Sequence, residues 1–252
     1  MPQTAALSTG GSKLATVERS EQALQLWDVA GGKQQDRGVL TKLPAPASAL
    51  VFSRDGRRLA AACKDGTVWL WDLGAGTPAH PIKPVAAVKC WPRILAFAPD
   101  GEHLALGGTH RPSLYVLDLA DRKEPQELGG PRNDVYAVAF APDGKTLASG
   151  GLDRSVRLWN VSGFADRCPP CTGHEAQITA LTFSPEGKTL ASGDLGGQVI
   201  LWSSGSGKRL RTWGFRNTQG IASLTFAPDG RHLLVGARTG LVHVLRPEAV
   251  QP

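Results

Sequence analysis

The fold is indicated most clearly by the segment Phe140-Ala-Pro-Asp-Gly-Lys-Thr-Leu-Ala-Ser-Gly-Gly151. Its first five residues have turn chemistry, because Pro at the first turn position fixes φ, Asp bonds to its own backbone and Gly accepts positive φ. The apolar run Val135-Tyr-Ala-Val-Ala-Phe140 precedes this turn, and Leu147-Ala-Ser follows it. Two strands joined by a tight turn are therefore predicted.

The same turn motif recurs along the chain at a nearly constant interval. Its copies are Phe52-Ser-Arg-Asp-Gly56, Phe97-Ala-Pro-Asp-Gly101, Phe183-Ser-Pro-Glu-Gly187 and Phe226-Ala-Pro-Asp-Gly230, with a degenerate copy at Leu7-Ser-Thr-Gly-Gly11. The last glycines of the six motifs are at positions 11, 56, 101, 144, 187 and 230, so they are 45, 45, 43, 43 and 43 residues apart. This period is typical of four-stranded propeller blades.

A third strand is predicted in every copy, because apolar residues alternate there with a period of two. The alternating pairs are Leu24/Leu26, Val68/Leu70, Leu114/Val116, Val156/Leu158, Val199/Leu201 and Val242/Val244. Weaker stretches around Gly32-Lys33, at 78–84, at 124–128 and at 208–213 are interpreted as outer fourth strands. One such sheet cannot bury both faces alone, so neighbouring sheets are expected to pack face to face in a ring.

The ends of the third strands carry a family resemblance. They read Trp27-Asp28, Trp71-Asp72, Leu117-Asp118, Trp159-Asn160 and Trp202-Ser203, which is similar to the Trp-Asp ends of WD repeats. The resemblance covers about residues 5–246, and the wording at 140–151 resembles bacterial members. It implies an all-β fold, a β-propeller of about six four-stranded antiparallel blades. The expected domain is single and spans 1–252, with repeats at approximately 5–43, 44–88, 89–131, 132–174, 175–217 and 218–252.

The last repeat lacks a predicted fourth strand, so the sequence does not determine whether the ring of blades closes. It stops after its third strand at Val244-Leu-Arg246, and residues 1–4 and 247–252 are poor candidates for the missing strand. The alternatives are a ring that closes weakly, one that stays open, and one completed by sequence outside this chain. An unpaired edge strand would also be a docking or aggregation surface.

The resemblance further implies a buried hydrogen-bonded chain in each blade. It joins a His before the first strand, a Ser or Thr in the second, an Asp in the following turn and a Trp in the third. We expect no copy to be complete, because Pro131 replaces the His of the fourth, Gly196 the Asp of the fifth and Ala61 the Ser/Thr of the second. The structural residues predicted by position are Trp27, Trp71, Ser149, Asp153, Trp159, His174, Ser192 and Trp202.

Cys168-Pro-Pro-Cys171 is the sharpest chemical motif of the sequence. A C-x-x-C can be a redox pair or half a zinc site. It falls in a segment between blades and has no second C-x-x-C as a partner. We favour incidental loop cysteines, and a reversible disulfide is the alternative.

No catalytic, metal or cofactor site is predicted. The six histidines lack an H-x-x-x-H or H-E-x-x-H spacing, and most carboxylates sit in turns where they have a backbone role. Gly144-Lys-Thr and Gly187-Lys-Thr match only the tail of a phosphate-binding loop. The chain is therefore expected not to be an enzyme.

The charge and the N-terminus bound the partners and the location. Lys and Arg number 28 against 22 Asp and Glu, which leaves a net charge of +6 that could steer acidic partners to the surface. The basic residues are scattered, which makes nucleic acid the less favoured partner. Neither a signal peptide nor a stretch of about 18 apolar residues is present, so a cytoplasmic protein that does not enter membranes is expected.

The resemblance implies that the loops leading into each first strand and the turns between second and third strands gather on one rim. The candidate partner-binding residues are Lys64, Lys89, Trp91, Arg93, Arg132, Asn133, Arg154, Glu175, Gln177, Arg216, Asn217, Gln219 and Arg238. The expected function is a non-catalytic scaffold that binds a protein or peptide, an acidic one among the options. The alternatives are a regulatory or sensory module of a larger, kinase-linked bacterial protein, and nucleic-acid binding through the basic rim residues.

Overall fold

A computed structural model of the chain describes residues 2–18, 22–29, 35–74, 82–110, 114–121, 124–129, 133–163 and 165–247, with side chains at all of these except 2–3, 35–40 and 82–85. The chain divides into two compact units, Met1–Gly129 and Gly130–Pro252. The single domain expected over 1–252 stays a prediction. We call the sheet of each repeat a blade and number the blades in chain order.

The first unit contains three antiparallel four-stranded blades, each with its strands in sequence order. Blade 1 consists of β1 (Pro2–Leu7), β2 (Lys13–Glu18), β3 (Ala23–Asp28) and β4 (Gln35–Lys42). Blade 2 consists of β5 (Ala47–Phe52), β6 (Arg58–Cys63), β7 (Thr67–Asp72) and β8 (Ile82–Ala87). Blade 3 consists of β9 (Trp91–Phe97), β10 (His103–Thr109), β11 (Leu114–Asp118) and β12 (Gln126–Glu127).

The second unit contains two four-stranded blades and one three-stranded blade. Blade 4 consists of β13 (Val135–Phe140), β14 (Thr146–Gly151), β15 (Val156–Asn160) and β16 (Ala165–Asp166). Blade 5 consists of β17 (Ile178–Phe183), β18 (Thr189–Asp194), β19 (Gln198–Ser203) and β20 (Arg209–Gly214). Blade 6 consists of β21 (Ile221–Phe226), β22 (Leu233–Ala237) and β23 (Val242–Leu245).

The predicted fold class is confirmed, because the described residues form six antiparallel sheets and no helix. Within the described residues, the last sheet ends after its third strand, as expected. The outer strands differ from the prediction: β8 and β20 begin later than 78 and 208, and β12 has only two residues. Gly32 and Lys33 lie outside the described residues, and the outer strand there is β4. An outer strand pairs with one neighbour and buries little, so its sequence carries no regular alternation.

The repeated turns work as their chemistry predicts. The glycines at 56, 101, 144, 187 and 230 have φ between +66° and +73°, a region open to residues without a side chain. In four turns the Asp accepts the backbone N–H two residues ahead: Asp55 from Arg57 at 3.0 Å, Asp100 from Glu102 at 2.8 Å, Asp143 from Lys145 at 2.9 Å and Asp229 from Arg231 at 2.8 Å. In these four blades, the turn therefore fixes the register between the two strands that it joins.

Both faces of an inner strand are buried, which explains why these strands are apolar throughout. In β6, Ala61 and Cys63 join the core that blade 2 shares with blade 1. Ala60 and Ala62 point the other way and join the core shared with blade 3. In the second unit, blade 5 likewise shares one core with blade 4 and another with blade 6. Each blade thus completes the interior of its neighbour within its unit.

Candidate functional site

Turns and lead-in loops meet at one edge of the sheets in the first unit. We call this edge the first rim: residues 64–66 between β6 and β7, residues 88–93 leading into and starting β9, and residues 109–110 after β10. The N–H of Val88 donates to the carbonyl of Gly66 at 3.0 Å. Gly66 has a φ of +87°, and a Cβ there would lie 2.2 Å from the Val88 oxygen, so no other residue fits. The β6–β7 turn is therefore fixed against the loop that carries Lys89.

Trp91 is the most prominent side chain of the first rim. It is 51% exposed, although a large aromatic side chain is normally covered. Its ring stacks on that of His110, with centroids 5.2 Å apart and planes 20° from parallel. The register explains the contact, because Trp91 pairs with Thr109 and His110 follows with a φ of +71°. Lys89 and Arg93, two residues before and two residues after Trp91 in the chain, are both exposed.

The second unit has a corresponding edge, which we call the second rim. It consists of the turns 152–154, 195–197 and 238–240 and of the loops 133–134, 174–177 and 215–220. The Arg154 guanidinium donates to the carbonyl of Glu175 at 3.3 Å. The Arg238 N–H donates to the carbonyl of Gly220 at 3.0 Å. Each turn of this rim is thus bonded to a lead-in loop.

The loop 215–220 holds an unusual backbone conformation. Asn217 and Gln219 have φ values of 61° and 52°, a region that non-glycine residues seldom adopt. Thr218, between them, is 2% exposed and its hydroxyl donates to the Phe215 carbonyl at 3.3 Å. This buried anchor holds the strained residues and leaves Arg216 exposed beside them. Backbone strain of this kind is concentrated at functional sites in proteins.

The predicted partner-binding residues fall on these two rims. In the described part of the chain, the exposed ones are Lys64, Lys89, Trp91, Arg93, Asn133, Arg154, Glu175, Arg216, Asn217, Gln219 and Arg238. Gln177 is half-buried, and its carbonyl accepts the N–H of Leu195 at 2.9 Å. Arg132 lies outside the described residues. Position in the repeat did not single out His110 as a stacking partner, because the contact depends on its positive φ.

Blade 5 contains the complete buried group of hydrogen-bonded His, Ser, Asp and Trp side chains, which the sequence analysis predicts to be incomplete in every blade. His174 Nε2 lies 2.6 Å from Ser192 Oγ, and the Trp202 indole N–H donates to the same oxygen at 2.7 Å. The other ring nitrogen, His174 Nδ1, lies 2.7 Å from Asp194 Oδ2. The expectation that no copy has all four members is therefore wrong for this blade. The acidic member comes from the end of β18, two residues before Gly196, and only the turn geometry brings it to the His.

Asp194 is held as a carboxylate despite its burial. Its side chain is 1% exposed, and burial alone would raise its pKa. The hydrogen bonds from His174 and from the backbone N–H of Gln198 outweigh burial, so the pKa of Asp194 lies below its ordinary value of 3.8. The charge therefore belongs to the folded state and ties β18 to the loop before β17.

The other blades contain shorter versions of this chain. In blade 4 the Trp159 indole donates to Ser149 at 2.9 Å, while Asp153 accepts the N–H of Ser155 at 3.2 Å and caps the turn. In blade 1 the Trp27 indole donates at 2.9 Å to Thr16, a residue that sequence reasoning did not name. In blade 2 the Trp71 indole nitrogen is buried without a partner, since Ala61 stands where an acceptor would be.

No metal-ion site is assembled in the described residues. No cluster of three or more His, Cys, Asp or Glu side chains there is arranged to hold a metal ion. Four turn aspartates accept hydrogen bonds from backbone N–H groups. The hydrogen bond from the Ser53 hydroxyl, followed by that from the Arg57 N–H, lowers the pKa of Asp55. Across the same described residues, no helix has the length and apolarity that a membrane span needs.

Comparison with known proteins finds repeats of one family. The family model described as "WD domain, G-beta repeat" matches residues 39–72, 122–160 and 167–203. Among curated proteins, "U3 snoRNP-associated protein-like YAOH" of Oryza sativa subsp. japonica is 32% identical over 111 residues, which are 38% of this chain and 22% of that protein. "WD repeat-containing protein 1" of Bos taurus is 30% identical over 122 residues, 48% of this chain and 19% of the relative.

These matches span about a fifth of the relatives' length, so they bear on the repeats and not on the whole of those proteins. The relative from Rattus norvegicus has the same printed name as the bovine one and is 29% identical over 122 residues. All three organisms are eukaryotes, so the resemblance to bacterial members has no support here. The cytoplasmic location stays a prediction.

Proposed function

Since this chain belongs to the WD-repeat proteins, we propose that it is a non-catalytic scaffold that binds a protein or peptide through its rim loops. WD-repeat proteins in general bind other proteins, which supports the coarse function. The finer proposal is that the partner is acidic and docks on the first rim around Trp91.

The exposed Trp91 carries the proposal. Trp and Arg are the residues that most often dominate binding energy at protein interfaces, and here Arg93 lies two residues from Trp91. The stack on His110 holds the indole in one orientation, so little side-chain freedom is lost when a partner covers it. A half-exposed, rigid aromatic at a rim is thus a prepared anchor.

The charge around this anchor selects the partner. Lys64, Lys89 and Arg93 are exposed on the same rim, with Asp65 as an exposed acidic neighbour. Their excess of positive charge would steer an acidic peptide to the indole and raise its rate of association. The effect would weaken with salt, because exposed charges are screened beyond about 8 Å at physiological ionic strength.

A panel of synthetic peptides tests the proposal, with Asp/Glu-rich, neutral and Lys/Arg-rich members of equal length. We expect the full chain to bind members of the acidic set. We expect Trp91→Ala to raise the dissociation constant about 30-fold, because loss of a central anchor costs about 2 kcal/mol of binding free energy. Arg93→Glu should also raise the dissociation constant, and by a larger factor at low salt than at high salt.

Arg54→Glu is the matched control. Arg54 is also exposed, but it lies in the β5–β6 turn, at the opposite end of β6 from Lys64. The Arg54→Glu substitution changes the net charge by the same amount as Arg93→Glu and should leave peptide binding unchanged. Equal losses in the two variants would contradict a rim site. Tighter binding of single-stranded RNA than of any peptide, with a steep salt dependence, would favour nucleic acid instead.

A further inference from the structure

The Cys168-Pro-Pro-Cys171 segment is built into the edge of blade 4. It follows β16, and Cys171 makes two backbone hydrogen bonds with Val156 of β15, at 2.8 and 3.0 Å. Cys171 is 5% exposed and belongs to the core shared by blades 4 and 5, against which Cys168 packs half-buried. The second cysteine is therefore fixed, and the first remains accessible.

Both sulfur atoms converge on one glycine of the neighbouring blade. A Cβ built on Gly207 would lie 2.7 Å from Cys168 Sγ and 2.8 Å from Cys171 Sγ. The two sulfurs are thus at most 5.5 Å apart, the sum of these distances. Gly207 has a φ of +69°, and its N–H donates to the Ser203 carbonyl at 2.8 Å in the β19–β20 turn. The absence of a side chain there leaves room for the thiol pair.

The four thiols of the chain differ in their access to solvent. All four cysteines are free. Cys63 and Cys90 are 0% and 3% exposed, and burial raises the pKa of each thiol to about 11. Burial, together with the neighbouring Cys168 thiol, raises the pKa of Cys171 to about 12. Cys168 is therefore the thiol that an oxidant reaches first.

We propose that Cys168 and Cys171 are a redox modification site, at which a low-molecular-weight disulfide such as oxidised glutathione converts the two thiols into a reversible intramolecular disulfide. The Cys168 thiolate attacks one sulfur of oxidised glutathione and releases one glutathione thiolate. Cys171 then gives up its proton and attacks Cys168 Sγ, which releases the second glutathione. Two thiols are oxidised to one disulfide, and the two glutathiones take up the two electrons and the two protons. This site lies outside the rims and is independent of the scaffold proposal.

The segment is prepared for this exchange. Pro169 and Pro170 fix their φ angles, so the reduced segment has few conformations to lose when the ring closes. The backbone bonds to Val156 hold Cys171 in place as the resolving thiol. A disulfide requires the sulfurs to approach to about 2.05 Å, and Gly207 leaves this movement unobstructed.

Thiol counting on the intact chain tests the proposal. The reduced chain is incubated with oxidised glutathione, quenched with acid, denatured and alkylated, and then analysed by mass spectrometry. We expect two alkylated cysteines, Cys63 and Cys90, and a peptide in which Cys168 and Cys171 are linked. Dithiothreitol should restore four alkylated thiols. Cys171→Ser should stop at a mixed disulfide that carries one glutathione on Cys168.

Cys63→Ser is the control and should leave the linked peptide unchanged. Cys168→Ser removes the more exposed thiol and gives an independent result if Cys171→Ser does not fold. In the Cys168→Ser variant, Cys171 should react with oxidised glutathione no faster than Cys63 does. Disulfide-linked dimers, a mixed disulfide that persists on Cys168 in the unmodified chain, or oxidation of Cys90 at an equal rate would each overturn the proposal.

Discussion

Replacing Ala61 with Ser should stabilise the protein, because it supplies an acceptor for a buried donor that has none. The position is equivalent to that of the acceptors in other blades. Ser149 pairs in register with Arg157, two residues before Trp159, and Ala61 pairs with Trp69, two residues before Trp71. In blade 4 this geometry gives the bond of 2.9 Å to the Trp159 indole. A Ser at 61 should bond the Trp71 indole in the same way.

The magnitude follows from the burial of this group. Trp71 is 0% exposed and its indole nitrogen has no partner, a state that costs about 1–3 kcal/mol. The new hydroxyl loses water when it is buried, but it can donate to the Trp69 carbonyl, as the Ser192 hydroxyl donates to the Ile200 carbonyl at 3.4 Å. We therefore expect a net gain of about 1 kcal/mol, which raises Tm by about 2–4 °C in a chain of this length.

Thermal unfolding of Ala61→Ser and Ala60→Ser measures this effect against a matched control. Ala60 is equally buried, but it faces the other core, where no indole awaits an acceptor. The same hydroxyl there should destabilise the protein by about 1–3 kcal/mol. In Ala61→Ser, the side-chain N–H resonance of Trp71 should also move downfield. Equal losses of Tm in the two variants would refute the assignment of Trp71 as an unsatisfied donor.

Three further predictions concern stability. Ser192→Ala should cost about 2–4 kcal/mol in urea unfolding, since it strands two buried groups, and Ser149→Ala about 1–2 kcal/mol, since it strands one; equal costs would contradict this difference. The pKa of Asp194 is lowered in the folded state, so its contribution to stability is present above the unfolded pKa of about 4 and is lost as the pH falls through the folded value. Wild type and Asp194→Asn should therefore converge in unfolding free energy below about pH 4, and a gap that is constant with pH would exclude this. Gly66→Ala should destabilise the protein by more than about 1 kcal/mol, whereas Gly10→Ala, with nothing within 4 Å of its Cβ, should change the unfolding free energy by less than about 0.5 kcal/mol.

The repeats and their inner strands could be predicted from the sequence because three local signals coincide in most copies. A turn of the Phe-x-Pro-Asp-Gly type, complete in blades 3, 4 and 6, indicates a hairpin, the period-2 alternation indicates the strands, and the nearly constant spacing indicates a repeat. The turn at Asp143 illustrates this, since its bond to Lys145 depends only on residues within the motif. The outer strands escaped prediction because they pair on one side and bury little; β12, with only two residues, is the extreme case.

Contacts that depend on the backbone conformation of loops could not be read from position. The site at Trp91 was predicted from its place in a lead-in loop. Its stack on His110 could not be predicted, because it requires a positive φ at His110 that the residue type alone does not indicate. Asp194 was missed for a similar reason, because the position aligned with other copies holds Gly196. A search for any acidic residue from the end of β18 to the start of β19, without a fixed offset, would have found it.

Hydrogen exchange of the full chain, alone and saturated with its best acidic peptide, tests the rim site most directly. We predict slower amide exchange at residues 64–66, 88–93 and 109–110 when the peptide is bound. Exchange at 54–57 and 100–103, at the opposite edge of the same sheets, should be unchanged. Protection of that opposite edge, or no protection of the first rim while the peptide is bound, would contradict a partner-binding site on the first rim.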